Sequence, residues 1–142
     1  MATLLVKDIM STNVVTLEEE ETLDLAEKAM KFGRLRHLPV VKNGELVGLV
    51  TQRDLLRIQV SSLAEVTDRE QQDILSRIRA REIMQRDVAT VGPETPLLEA
   101  ARIIKENKIG CLPVLEGGRL VGIITESDFI DLVIRMLERG GN

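Results

Sequence analysis

The sequence contains no tryptophan or tyrosine, and only two phenylalanines, one cysteine and one histidine among its 142 residues. The single cysteine, Cys111, excludes an internal disulfide and a cysteine-rich zinc site, and the single histidine, His37, excludes a multi-histidine metal centre. A metal ion such as Mg2+ would therefore have to ride on carboxylates or on the phosphates of a ligand. The near-absence of aromatic rings leaves little for nucleobases to stack on, and a net charge of -4 argues against a surface that tracks a phosphate backbone. DNA and RNA are not expected partners. The apolar runs fall far short of the ~20 residues a membrane helix requires. The first residues, "MATLLVKDIM", carry no basic flank and no small-residue cleavage site, so no secretory signal is expected. What remains is a cytoplasmic, non-membrane protein.

The composition is globular, with 44% hydrophobic and 30% charged residues. The chain is long enough for one domain, or for two small ones that depend on each other for a core.

An internal repeat fills most of it. Sliding the sequence by 74 positions aligns residues 6–60 with 80–134 without a gap, pairing Met10 with Met84, Pro39 with Pro113 and Asp54 with Asp128. We divide the chain into a first repeat at 6–60, a helical linker at 61–79 and a second repeat at 80–136. In each repeat a short alternating segment ("NVVTL", "DVATV") precedes an amphipathic stretch, predicting helices over about 23–32 and 97–106. Thr22 and Thr95 suit the helix starts and Pro96 a first helical position. Gly33 and Asn107 suit left-handed ends. Then come "HLPVV" and "CLPVL", a turn at "KNGE" or "EGGR", and "ELVGLV" or "RLVGII". Apolar runs joined by Asn-Gly or Gly-Gly predict one tight hairpin per repeat.

Each hairpin ends in Gly-x-x-Thr-x-x-Asp, as "GLVTQRD" at 48–54 and "GIITESD" at 122–128. That spacing is a helix start, with Thr51 and Thr125 at N-cap and Asp54 and Asp128 at N3. The resulting order is strand, helix, strand, strand, helix. The expected fold is α+β: two packed three-stranded sheets with helices outside, related by a pseudo-two-fold axis. Gly48 and Gly122 mark either tight packing or a place where a ligand nears the backbone. In the linker, Thr67 and Glu70 form a capping box ahead of an apolar stripe of Ile74, Leu75 and Ile78. The last helix carries Phe129, Ile130, Leu132, Val133, Ile134, Met136 and Leu137 around more than one face. This predicts a homodimer through helices that include 127–139.

The doubled set of "LPV", glycine-containing hairpin and Gly-hydrophobic-x-Thr-x-x-Asp resembles tandem cystathionine β-synthase (CBS) domains, the pair called a Bateman module. The resemblance spans nearly the whole sequence and leaves no stretch for a catalytic domain, as in a stand-alone CBS-domain protein. It implies a non-enzymatic, energy-sensing regulatory module that binds an adenine nucleotide (AMP, ADP or ATP) in clefts between the repeats, dimerises, and signals to a downstream protein. It implies no catalytic cofactor.

On this view Thr51, Asp54, Thr125 and Asp128 hold the ribose, because an ionised carboxylate accepts from both ribose hydroxyls. An Asp in the first helical turn already offsets the helix dipole and would repel a phosphate dianion. The phosphate is therefore directed to cations near the same sheet edge: Arg36, His37, Arg53 and Lys108, with Arg34 nearby. In the family, residues just before "LP" contact phosphates. The repeat counterparts of Arg36 and His37 are Gly110 and Cys111, so two unequal clefts are expected. For adenine, the family-matched positions are Leu38, Pro39, Leu112, Pro113 and the backbone around Thr16 and Thr90. For the Leu and Pro residues core packing is the competing role.

Three other readings stay open. One is a ligand-independent dimeric scaffold, in which the Thr/Asp pairs only cap helices. Another is a binder of a different adenosyl ligand: S-adenosylmethionine, NAD or a cyclic dinucleotide. The third is an enzyme built on Cys111 and His37, which lacks an orienting residue and an oxyanion-hole motif. The run Glu18–Glu21 fits a solvated loop better than a metal site.

Overall fold

The computed structural model describes residues 3–61 and 67–140; part of the expected linker, 62–66, lies outside the described residues. In chain order the elements are α1 (Val6–Ile9), β1 (Leu17–Glu18), α2 (Leu23–Gly33), β2 (His37–Lys42), β3 (Glu45–Thr51), α3 (Gln52–Ser61), α4 (Asp68–Leu75), α5 (Ala80–Ile83), α6 (Leu97–Asn107), β4 (Cys111–Glu116), β5 (Arg119–Thr125) and α7 (Glu126–Gly140).

The compact units do not coincide with the sequence repeats. One unit runs Val15–Val88, and the other combines the chain up to Val14 with the chain from Ala89 onward. Each repeat therefore gives its leading segment to the body of the other. The hydrogen bonds show how. In one unit the Val6 N–H donates to the Thr95 carbonyl at 2.8 Å, and Ser11 and Ile123 exchange two backbone bonds of 2.9 Å. In the other, the Ala80 N–H donates to the Glu21 carbonyl at 2.8 Å, and Gln85 and Leu49 exchange two bonds of 2.9 Å. Every residue of the second set is the 74-offset counterpart of one in the first.

A glycine under each leading segment explains the fit. A Cβ on Gly48 would stand 2.5 Å from the Met84 sulfur and 2.9 Å from the Gln85 carbonyl oxygen. One on Gly122 would stand 2.7 Å from the Met10 sulfur and 3.0 Å from the Ser11 carbonyl oxygen. Both glycines thus mark tight packing, where a methionine and its backbone lie flat on the strand.

In the Val15–Val88 unit, β1 pairs parallel with β2 and β2 antiparallel with β3. Leu23, Ala26 and Met30 of α2, Leu38 and Val40 of β2, Val50, Leu55, Leu75, Ala80 and Met84 form its core. Leu75 is almost fully buried there, so α4 is part of this unit. Its Thr67 hydroxyl accepts from the Glu70 N–H at 3.2 Å, as the capping box predicts. Glu27 of α2 ties α4 and α3 down together by accepting from the amides of Gln72 and Gln59. In the other unit β4 and β5 form the hairpin, and Val6, Val91, Leu97, Ala100, Ile104, Leu112, Val114 and Ile124 form the core. Here the expected first strand is reduced to a single parallel bridge between Val91 and Val114.

Both hairpin turns are of the expected kind. Asn43 and Gly44 have φ of 53° and 80°, and Gly117 and Gly118 have 59° and 83°, the two positive values a type I′ turn requires. The helix ends differ from expectation by one residue. Arg34 and Lys108, not Gly33 and Asn107, take the left-handed conformation, and Leu35 and Ile109 fold back to bond the Met30 and Ile104 carbonyls. Pro96 is the N-cap of α6 and not its first helical residue. The run Glu18–Glu21 is bound down: Glu21 accepts from the Glu18 N–H at 2.8 Å, Glu19 pairs with Lys42 at 3.4 Å, and Glu20 pairs with Arg79 and Arg81, both at 3.0 Å.

Since the Gln85 carbonyl is backbone and cannot swing away from Gly48, the Gly48→Ala variant should lose about 1–3 kcal/mol in urea unfolding. Shortening the opposing side chain as well, in Gly48→Ala/Met84→Ala, should not restore it.

Candidate functional site

Each hairpin delivers its Thr and Asp to the end of the second strand, where the following helix starts. In the Val15–Val88 unit the capping box is complete: the Thr51 N–H donates to Asp54 Oδ2 at 2.8 Å, and the Asp54 N–H donates to Thr51 Oγ1 at 3.2 Å. In the other unit the Thr125 N–H donates to Asp128 Oδ2 at 2.8 Å, but the Thr125 hydroxyl lies 3.4 Å from the same carboxylate oxygen and donates to it. Thr and Asp are half-buried in both units.

Of the cations expected beside this pair, Arg36, His37 and Arg53 lie in the Val15–Val88 unit and Lys108 in the other. His37 is the cross-strand partner of Thr51. The Arg36 carbonyl accepts from the Gln52 N–H, the first of α3, at 2.8 Å, and Arg53 sits in the first turn of α3. Thus Arg36, His37, Thr51, Arg53 and Asp54 share one sheet edge. In the other unit the matching positions hold Gly110, whose carbonyl accepts from the Glu126 N–H at 3.2 Å, and Cys111, the partner of Thr125. Lys108, at the left-handed end of α6, is the cation there that sequence assigned to phosphate.

The positions assigned to adenine divide in two. Leu38, Pro39, Leu112 and Pro113 are fully buried, main chain included, so core packing is the role the structure gives them. Thr16, half-buried, directly precedes Leu17, which pairs with Val40 of β2; Thr90, exposed, directly precedes Val91, which bridges to Val114 of β4.

Two residues escaped the sequence reading. The Gln85 side-chain amide reaches Asp54, with Nε2 3.4 Å from each carboxylate oxygen. The Ser11 hydroxyl reaches Asp128 Oδ1, also at 3.4 Å. Both ride on the exchanged leading segments and are counterparts at the 74 offset. The only trace in sequence was their position directly after the paired Met84 and Met10.

Cys111 is buried, and burial pushes its thiol up from 9.0 to about 12. It is protonated at neutral pH and a poor nucleophile.

A hairpin-and-helix unit, repeated with exchanged leading segments and a Thr/Asp pair at each strand end, defines a tandem-repeat α+β fold. The chain belongs to the CBS domain family, whose model matches residues 6–61 and 80–135. It is 38% identical to an acetoin utilization protein (AcuB) of Vibrio cholerae, with a TM-score of 0.83 over 96% of this chain and 95% of that one. Two more distant structures carry ligands. The CBS domain pair of protein MJ0100, in complex with 5′-methylthioadenosine and S-adenosyl-L-methionine, is 27% identical with a TM-score of 0.78, covering 95% of this chain and 99% of that one. The protein CBSX2, in complex with AMP, is 26% identical with a TM-score of 0.75, covering 93% and 97%. Among the described residues no helix is long and apolar enough to cross a membrane.

The raised Cys111 pKa has a signed consequence for stability. Below about pH 9 the thiol is protonated in folded and unfolded chains alike, and between 9 and 12 only the unfolded chain releases the proton. Stability should fall as pH rises through this window. The fall should be shallower in Cys111→Ala, measured as the urea midpoint at pH 8 and pH 10.5.

Proposed function

We propose that this protein is a non-enzymatic regulatory module that binds an adenine nucleotide, AMP, ADP or ATP. The observation that carries the proposal is the Thr51–Asp54 pair at the end of β3, with Arg36 and His37 alongside it on the same edge. The ionised carboxylate takes the ribose hydroxyls, and the cations, a residue or two away across the strand pair, take the phosphate. Thr125 and Asp128 repeat the ribose arrangement with Lys108 as the local cation. Mg2+ enters, where it enters, on the ligand's phosphates. The adenosyl compounds bound by MJ0100 and the AMP bound by CBSX2 support an adenosine-bearing ligand. S-adenosylmethionine is the alternative; the cluster of Arg36, His37 and Arg53 favours a phosphate-bearing one.

Binding changes the response of a partner only if the ligand contacts two states unequally. The outer face of α7 provides a surface for such a response. Ile130, Val133, Ile134 and Leu137 recur at helical spacing and stand 60%, 51%, 47% and 72% exposed, while Phe129 and Leu132 turn inward to the core. We assign this stripe to a second copy of the chain, making the module a homodimer in the cytoplasm that signals to a protein target.

Isothermal calorimetry and thermal shift with AMP, ADP, ATP and S-adenosylmethionine test the ligand. A ligand present at ~100 times its dissociation constant should add about 2.7 kcal/mol of stability, and Asp54→Ala/Asp128→Ala should abolish the effect. Silence from every adenosine compound at millimolar concentration would sink the proposal. Light scattering at tens of micromolar should give a dimer, and Val133→Asp/Leu137→Asp a folded monomer; a wild-type monomer would remove the assignment of the α7 stripe.

A further inference from the structure

Asp54 and Asp128 occupy equivalent positions, are half-buried and each accept from their own threonine N–H, but they are held by different chemistry from the exchanged segments. Gln85 approaches Asp54 with an amide nitrogen, at 3.4 Å from both oxygens. That nitrogen only donates and lies against both oxygens, so while it stays there it competes with ribose hydroxyls for the lone pairs of the carboxylate. Ser11 approaches Asp128 with a hydroxyl, at 3.4 Å from Oδ1 alone. A hydroxyl has a rotatable proton and two lone pairs. It can keep its own proton on the carboxylate and accept from a second ribose hydroxyl while the first donates to Asp128.

The backbones beneath these side chains leave no freedom to retreat. Gln85 is fixed by its two 2.9 Å bonds to Leu49 and Ser11 by its two to Ile123. Met84 and Met10, just before them, are pressed against Gly48 and Gly122. A ribose reaching Asp54 must therefore displace the amide by rotating a long side chain, at a cost in hydrogen bonding to a charged group; at Asp128 it need only redirect hydroxyl protons, those of Ser11 and Thr125, with both side chains in place.

We infer that the residue following the paired methionine, Gln85 in one unit and Ser11 in the other, ranks the two carboxylates for ribose, with Asp128 favoured over Asp54. This rests on the adenosine reading above and deepens it. It opposes the ranking that Arg36 and His37 impose through phosphate, so a ligand's phosphate content decides which unit it prefers. Adenosine, with ribose and no phosphate, favours Asp128, and each added phosphate shifts occupancy toward the unit of Asp54.

The test titrates adenosine calorimetrically against variants in which one carboxylate remains. In Asp128→Ala, which leaves Asp54, adding Gln85→Ser should tighten adenosine about tenfold, the effect expected of one charge-assisted hydrogen bond. In Asp54→Ala, which leaves Asp128, adding Ser11→Gln should weaken it by a similar factor. Unfolding in urea identifies any variant that has lost its fold, and the reciprocal variant then supplies the result. Adenosine affinities that do not respond to either exchange, or that respond in the opposite sense, overturn the ranking while leaving nucleotide binding intact. Failure of adenosine to bind the unaltered protein overturns the ranking alone, and silence from every adenosine compound overturns the proposed function with it.

Discussion

The seat of a methionine against a glycine is the contact on which the rest of the molecule depends. Met84 lies on Gly48 and Met10 on Gly122, each too close to admit a side chain on the strand. This proximity lets the leading segment of one repeat pair backbone to backbone with the second hairpin strand of the other body, through Leu49 with Gln85 and Ile123 with Ser11. Neither repeat, taken as a sequence unit, encloses its own core. Ala80 and Met84 complete the core of the first hairpin, and Val6 that of the second. Each body thus completes a core that would be marginal at this size with a segment from the other repeat.

The same exchange sets the surroundings of the candidate site. A capping box needs only four consecutive residues, and Thr51 to Asp54 supply it locally. What else faces the carboxylate is decided by a segment far away in sequence. The duplication acts as an internal control, since caps, hairpins and buried Leu-Pro pairs are kept in both copies. Arg36 against Gly110, His37 against Cys111 and Gln85 against Ser11 differ. These differences fall at the same edge of both bodies, beside the Thr/Asp pairs.

Much of this was legible from the residues. The type I′ turns followed from Asn43-Gly44 and Gly117-Gly118, because two positive φ values in succession are costly for other residues. The helix starts at Thr51, Thr67 and Thr125 followed from spacing. The helix ends were missed by one residue because the left-handed position bearing Arg34 or Lys108 is held by backbone bonds, its own N–H and that of the next residue both reaching the Met30 or Ile104 carbonyl, and not by side-chain preference. The Glu18–Glu21 loop looked merely solvated, yet its charges meet Lys42, Arg79 and Arg81, the last two about sixty residues distant.

Sequence alone determined the repeat, its hairpins and longer helices, both turns, the family and the Thr/Asp pairs, since each rests on interactions within a few residues or on a pattern repeated at one offset. Tertiary structure decided which body each leading segment joins, that the two glycines serve packing, that α4 belongs to the Val15–Val88 core through Leu75, and that Gln85 and Ser11 face the two carboxylates. The reason is the symmetry of the repeat itself. A segment that fits its own repeat and its sister almost equally well leaves no mark in sequence of which one it will cover, and only the path of the folded chain makes that choice.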